Sequence, residues 1–172
     1  MNVERLIADR ARRIDASGVR RVFDLSAKLK DPINLSIGQP DFPVPETMKQ
    51  AAIDAIRDDR NGYTVTQGVA PLRDRITNWL ETDLGWSDRA GMLVTSGTSG
   101  GLGLAMMAML QEGDEIIIPD PYFVLYPQVA RVCGAEPVYC DTYPDFRMTA
   151  PRVEPLITAR TKAVLMDSPS NP

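Results

Sequence analysis

The sequence contains no histidine at all. That absence removes Ser–His–Asp hydrolysis, Cys–His proteolysis and most zinc catalysis, and leaves lysine, tyrosine, carboxylates, cysteine or a bound cofactor to carry any reaction. Cysteine is scarce. Cys133 and Cys140 form no metal pattern and read as reduced, partly buried thiols of a cytosolic protein. No apolar run approaches the roughly 20 residues that a membrane helix needs. Met1 leads into a charged stretch without an apolar core, so no signal peptide is expected, and Glu4, Asp9 and Asp15 break the acid-poor pattern of an organelle leader. The formal net charge of -4 leaves no general attraction for nucleic acid.

What is present suits a soluble globular chain: 172 residues are enough for one domain with a real core, and 44% hydrophobic against 24% charged residues argues against disorder or fibre. The organising stretch is Met92–Leu110. A short apolar run, Met92 to Val94, fits a buried strand. It turns through Ser96, Gly97, Thr98 and Ser99 and becomes an apolar run from Leu102 to Leu110 that fits a buried helix. Unpaired N–H groups at a helix start, with the positive end of the helix dipole, make an anion site, to which the hydroxyls of Thr95, Ser96, Thr98 and Ser99 add donors. Gly97, Gly100 and Gly101 allow close approach of a phosphate. A plain capped turn uses the same residue types. With no lysine after the glycines and Met106 where a third glycine would fall, the stretch is neither a nucleoside-triphosphate loop nor a dinucleotide fingerprint.

Residues 1–32 read as an N-terminal arm or helix, rich in arginine. Ile33–Ile37 alternates as a strand and ends in the turn-rich Gly38-Gln-Pro-Asp-Phe-Pro-Val-Pro45. Helices are predicted over Thr47–Arg57 and from Pro71, with Tyr63 in the polar loop between them. Strands are predicted at Glu115–Ile118, Glu136–Cys140 and Lys162–Met166, and helices over Leu125–Cys133 and near Val153–Thr158. From residue 92 onward this alternation predicts an α/β fold of three layers, with a mostly parallel sheet between helices. Ligands of such sheets bind at the carboxyl ends of the strands, so the loops at 96–99, 119–123 and 167–172 should gather at one edge. They offer phosphate donors, the aromatic pair Tyr122 and Phe123, and the amide of Asn171, a set that suits a flat phosphorylated aromatic ligand. Tyr122 and Phe123 as core aromatics, and Asn171 as a turn residue before proline, are the plainer readings.

Five motifs in order carry a resemblance. They are Gly38-Gln-Pro-Asp41; Tyr63 ahead of Gly68 and Leu72-Arg73; Val94-Thr-Ser-Gly-Thr-Ser99; Pro119-Asp-Pro-Tyr-Phe123; and Ser168-Pro-Ser-Asn-Pro172. From about Ala11 to Pro172 the chain resembles the amino-terminal part of the fold-type I, class I/II aminotransferases, which use pyridoxal 5′-phosphate. The resemblance implies that residues 33–172 are the first part of a cofactor-binding large domain. It implies that Gly97, Thr98 and Ser99 hold the phosphate, Phe123 stacks on the pyridine ring and Asn171 hydrogen-bonds the ring 3′-oxygen. Gly38 would lie along the substrate carboxylate, and Tyr63 would reach the phosphate of the partner subunit in a homodimer. The implied activity is transamination between an amino acid and a 2-oxo acid in the cytoplasm.

The resemblance also implies an absence. The family's cofactor-bearing lysine, its ring-nitrogen carboxylate and its substrate-binding arginine all lie beyond the position of Pro172, and Lys28, Lys30, Lys49 and Lys162 match none of that context. No catalytic residue is therefore assigned, and the 172 residues alone are expected not to transaminate. A lyase or decarboxylase of the same fold type, a non-catalytic phosphate or cofactor module, and a plain interaction domain stay open as alternatives.

Overall fold

The computed structural model describes residues 3–12, 14, 22, 25, 27–31, 33, 38, 40–86 and 91–171. The chain divides into two compact units, one of Met1–Arg21 with Gly97–Pro172, the other of Val22–Ser96.

The first unit opens with a 3-10 turn at Val3–Leu6 and a short helix α1, Asp9–Arg12. Its body alternates helix and strand: α4 (Gly97–Met109), β1 (Glu115–Asp120), α5 (Leu125–Val132), β2 (Glu136–Asp141), α6 (Ala150–Val153) and β3 (Thr161–Val164). The three strands are parallel in the order β2-β1-β3. β1 takes the centre because its side chains suit burial on both faces: Ile116, Ile117 and Ile118 are buried, the last two completely. β2 pairs with it in register from Glu115 opposite Glu136 to Asp120 opposite Asp141. β3 pairs with a shift between Glu115 and Ile116, and the Leu165 amide carries the pairing past β3 by donating to the Ile117 carbonyl at 2.8 Å. The core joins Met106 and Leu110 of α4 and its end to Ile116 and Ile118 of β1, Tyr126 and Ala130 of α5, and Ala135. Gly134, at φ +85°, closes α5.

The second unit holds α2 (Glu46–Arg57) and α3 (Ala70–Leu84). Pro71 stands in the first turn of α3 and Gly85, left-handed at φ +66°, ends it, as the residue types predict.

Three expectations need correction or restriction. Met92–Val94 is not a strand. Among the described residues nothing pairs alongside it; the Val94 amide makes a single bond, to the Gln67 carbonyl at 3.0 Å, and Leu93 is exposed. An apolar run signals a preference for burial, while a strand needs a neighbour to complete its ladder. The helix expected near Val153–Thr158 lies earlier, at Ala150–Val153, followed by a 3-10 turn at Glu154–Leu156, because Pro151 and Pro155 each favour a first-turn position. The strand expected at Ile33–Ile37 falls, beyond its first residue, outside the described residues.

Candidate functional site

The carboxyl ends of the three strands converge. A cavity of about 30 Å³ is lined by Pro119 of β1 and Pro121 just after it, Thr142, Phe146 and Met148 after β2, and Asp167 after β3. The loops at 119–123 and 167–171 thus share one edge of the sheet, as the alternation predicts. α4 returns to the start of β1 through the turn Gln111–Asp114, whose Asp114 carboxylate accepts from the Gln111 amide at 3.0 Å. Met106 and Leu110, in and just after α4, share their core with β1 and α5.

The opening of α4, Gly97–Ser99, has the chemistry of an anion site. The first turn of α4 carries no acidic side chain, and Gly97, Thr98 and Ser99 are exposed. Helix geometry leaves the Thr98 and Ser99 amides, in the first turn, without intrahelical acceptors. Gly97 turns the chain into the helix at φ +67°, a conformation any side chain would strain. A set of N–H and O–H donors with no carboxylate fits a phosphate dianion.

Phe123 is half-buried. Its ring meets Tyr126 edge-on, with centroids 5.8 Å apart and planes at 72°, and the Tyr126 amide donates to the Phe123 carbonyl at 3.0 Å. Tyr122 leans instead on Tyr139, 5.2 Å between centroids. Asn171 is exposed, and its backbone amide donates to Asp167 Oδ2 at 3.1 Å. The same carboxylate oxygen accepts from the Tyr126 hydroxyl, also at 3.1 Å. Burial, reinforced by the Asp167 charge and that bond, pushes the Tyr126 phenol above its usual range, so the hydroxyl stays a donor.

Opposite the Asp167 loop, Arg152 organises the segment after β2. Its guanidinium donates to the carbonyls of Thr142 (3.1 Å), Tyr143 (3.1 Å) and Arg147 (2.7 Å) and to the Asp145 carboxylate (2.6 Å). The ion pair holds the Asp145 carboxyl below the usual range. Thr142, buried, spends both its amide (3.1 Å) and its hydroxyl (2.7 Å) on the Asp120 carbonyl, tying the ends of β1 and β2.

Of the residues singled out from sequence, Gly97, Thr98, Ser99, Phe123 and Asn171 belong to the same compact unit; Gly38 and Tyr63 belong to the other. Tyr63 is fully exposed, and among the described residues nothing stands within 4 Å of where a side chain at Gly38 would begin. Within that second unit Gly68, at φ +97°, has no room for a side chain, since an added β-carbon would come within 2.7 Å of Val94 Cγ2, and its carbonyl accepts from Arg73 Nε at 3.0 Å. The Gly68 and Leu72-Arg73 motif therefore fixes the segment that leads into the turn. Sequence reasoning missed Tyr126, Arg152 and Thr142 and gave Asp167 no task. The one local signal was the placement of Tyr126 one helical turn after Phe123.

Among the described residues no helix is long and apolar enough to cross a membrane, and no cluster of metal-ligating side chains occurs. Residues 30–172 match the family model of aminotransferase class I and II. The chain is 38% identical over 172 residues to an aspartate aminotransferase of Rhizobium meliloti, covering 94% of this chain and 42% of that protein. It is 31% identical to an aspartate aminotransferase of Pyrococcus abyssi, over 96% of this chain and 44% of the other. Among solved structures, the aspartate aminotransferase of Rhizobium meliloti superposes with a TM-score of 0.87 at 38% identity, covering 96% of this chain and 43% of that one. A single mutant of the Thermus thermophilus enzyme superposes with a TM-score of 0.90 at 32% identity, over 96% and 45%. The chain spans less than half the length of these relatives.

Proposed function

The chain belongs to the class I and II aminotransferases, a pyridoxal 5′-phosphate-dependent family, and from that premise we propose that residues 33–172 are the first part of a large domain that cradles this cofactor. The observation that carries the reading is the carboxylate-free, donor-lined opening of α4, in the same compact unit as an edge-packed phenylalanine and a tethered asparagine. Thr98 and Ser99 amides hold the phosphate with Gly97 as the pivot, Phe123 covers a face of the pyridine ring, and Asn171 meets the ring 3′-oxygen.

When bound, the cofactor supplies an electron-accepting ring for an amine substrate that loses its α proton. This chain's own residues anchor and orient; none of Lys28, Lys30, Lys49 and Lys162 stands at the site by sequence context, so the 172 residues bind the cofactor without catalysing transfer. In the whole protein we assign transamination between an amino acid and a 2-oxo acid, in a cytoplasmic homodimer where Tyr63 reaches the partner's phosphate site and Gly38 flanks the substrate carboxylate.

Cofactor titration against thermal unfolding tests the reading. Pyridoxal 5′-phosphate at about a hundredfold excess over its dissociation constant should raise the midpoint by roughly 5–10 °C. Ser99→Asp, which sets a carboxylate where the phosphate belongs, should abolish most of that rise. An unchanged midpoint with the unsubstituted chain would refute the assignment.

A further inference from the structure

We propose that Tyr126 and Asp167 are a positioning pair that sets Asn171 against the ring 3′-oxygen; the inference rests on the cofactor assignment above. The geometry is a relay from the core to the loop. Tyr126 is buried, 7% exposed, and fixed by its place on α5 among Met106, Ile118 and Ala130. Its hydroxyl donates to Asp167 Oδ2, and that single oxygen also accepts from the Asn171 amide, each at 3.1 Å. The loop that bears Asn171 is otherwise exposed from Ser168 onward. A carboxylate anchored from below by a buried donor can therefore hold an exposed backbone in place above it. The Tyr126 ring also meets Phe123 edge-on, so one buried side chain touches both the ring-stacking residue and the loop of the 3′-oxygen contact. Neither Tyr126 nor Asp167 needs to touch the cofactor.

Fluorescence titration of the 172-residue chain separates the possibilities, with three probes: pyridoxal 5′-phosphate, its analogue without the ring 3-hydroxyl, and inorganic phosphate. Tyr126→Phe and Asp167→Ala should each weaken the cofactor by about fivefold, the order expected for one hydrogen bond. Both should leave phosphate and the deoxy analogue bound as in the unsubstituted chain. Asp167→Asn should bind close to normally, since its amide oxygen accepts from both donors. Normal cofactor binding by Tyr126→Phe would overturn the inference, as would an equal loss for all three probes, which marks general damage to the fold. If the unsubstituted chain bound neither the cofactor nor phosphate, the cofactor assignment itself would fall, and the pair's role with it.

Discussion

Glu115, the first residue of β1, is buried at 4% exposure and never alone. The Thr158 hydroxyl donates to its carboxylate at 2.5 Å, and Arg160 completes an ion pair. Its amide donates to the Arg160 carbonyl at 2.8 Å, so one residue clamps the central strand to the turn before β3. The Thr158 bond, with Arg160 adding to it against the opposing effect of burial, holds the carboxyl below the usual glutamate range. A carboxyl depressed by folding contributes its full stability above the unfolded value and loses it as pH falls through the folded one. Glu115→Gln should lower stability near neutral pH and flatten the acid limb of the profile, measured by urea midpoints from about pH 7 to about pH 3. An acid limb as steep as the parent's would show that other carboxylates set it. None of this was legible in the sequence, where Glu115 merely precedes three isoleucines. Its partners lie more than forty positions away, as does the Asp167 partner of Tyr126. The start of a helix at this turn was legible, because small residues such as Gly97, Thr98 and Ser99 are local turn and capping signals.

At the scale of elements, α4 shows how far an apolar run can be read. Its composition is apolar nearly all round, which predicts burial on every side. In this chain Met106 is the buried residue of the helix, at 2% exposure, while Met107, the next along, is 62% exposed. Met106→Ala should cost about 2–5 kcal/mol, as for a large-to-small change in a core. Met107→Ala should stay within about 0.5 kcal/mol. Urea unfolding of the two variants measures the contrast; similar losses would mean that both faces of α4 are packed. The order of strands and helices after Glu115 was read correctly because periodicity, run length and turn residues agreed, save that the last helix lies earlier than expected, where Pro151 and Pro155 place it. Met92–Val94 was misread because its composition resembles a strand while the partner that would make it one is a tertiary matter.

Across the whole molecule, hydrophobic surface lies open where the alternation predicts cover. Leu104, Met107 and Met109 on α4 and Met166 after β3 are each at least half exposed. Among the described residues both outer strands of the sheet lack a further neighbour. Apolar patches and unpaired edges of this kind drive association. Size-exclusion chromatography at roughly 100 μM should therefore give species larger than a 172-residue monomer. Leu104→Lys with Met109→Lys should shift the elution toward the monomer. A monomeric parent would show that this surface is tolerated by the isolated chain.

The two rims of the strand-end edge differ in one further respect. One guanidinium holds the loop after β2 at four points, and three of the four acceptors of Arg152 are backbone carbonyls that no substitution removes. The loop after β2 is a jamb that loss of any one contact leaves standing. The loop that bears Asn171 hangs instead from one carboxylate oxygen, so a single substitution at Asp167 is enough to let that side of the doorway swing.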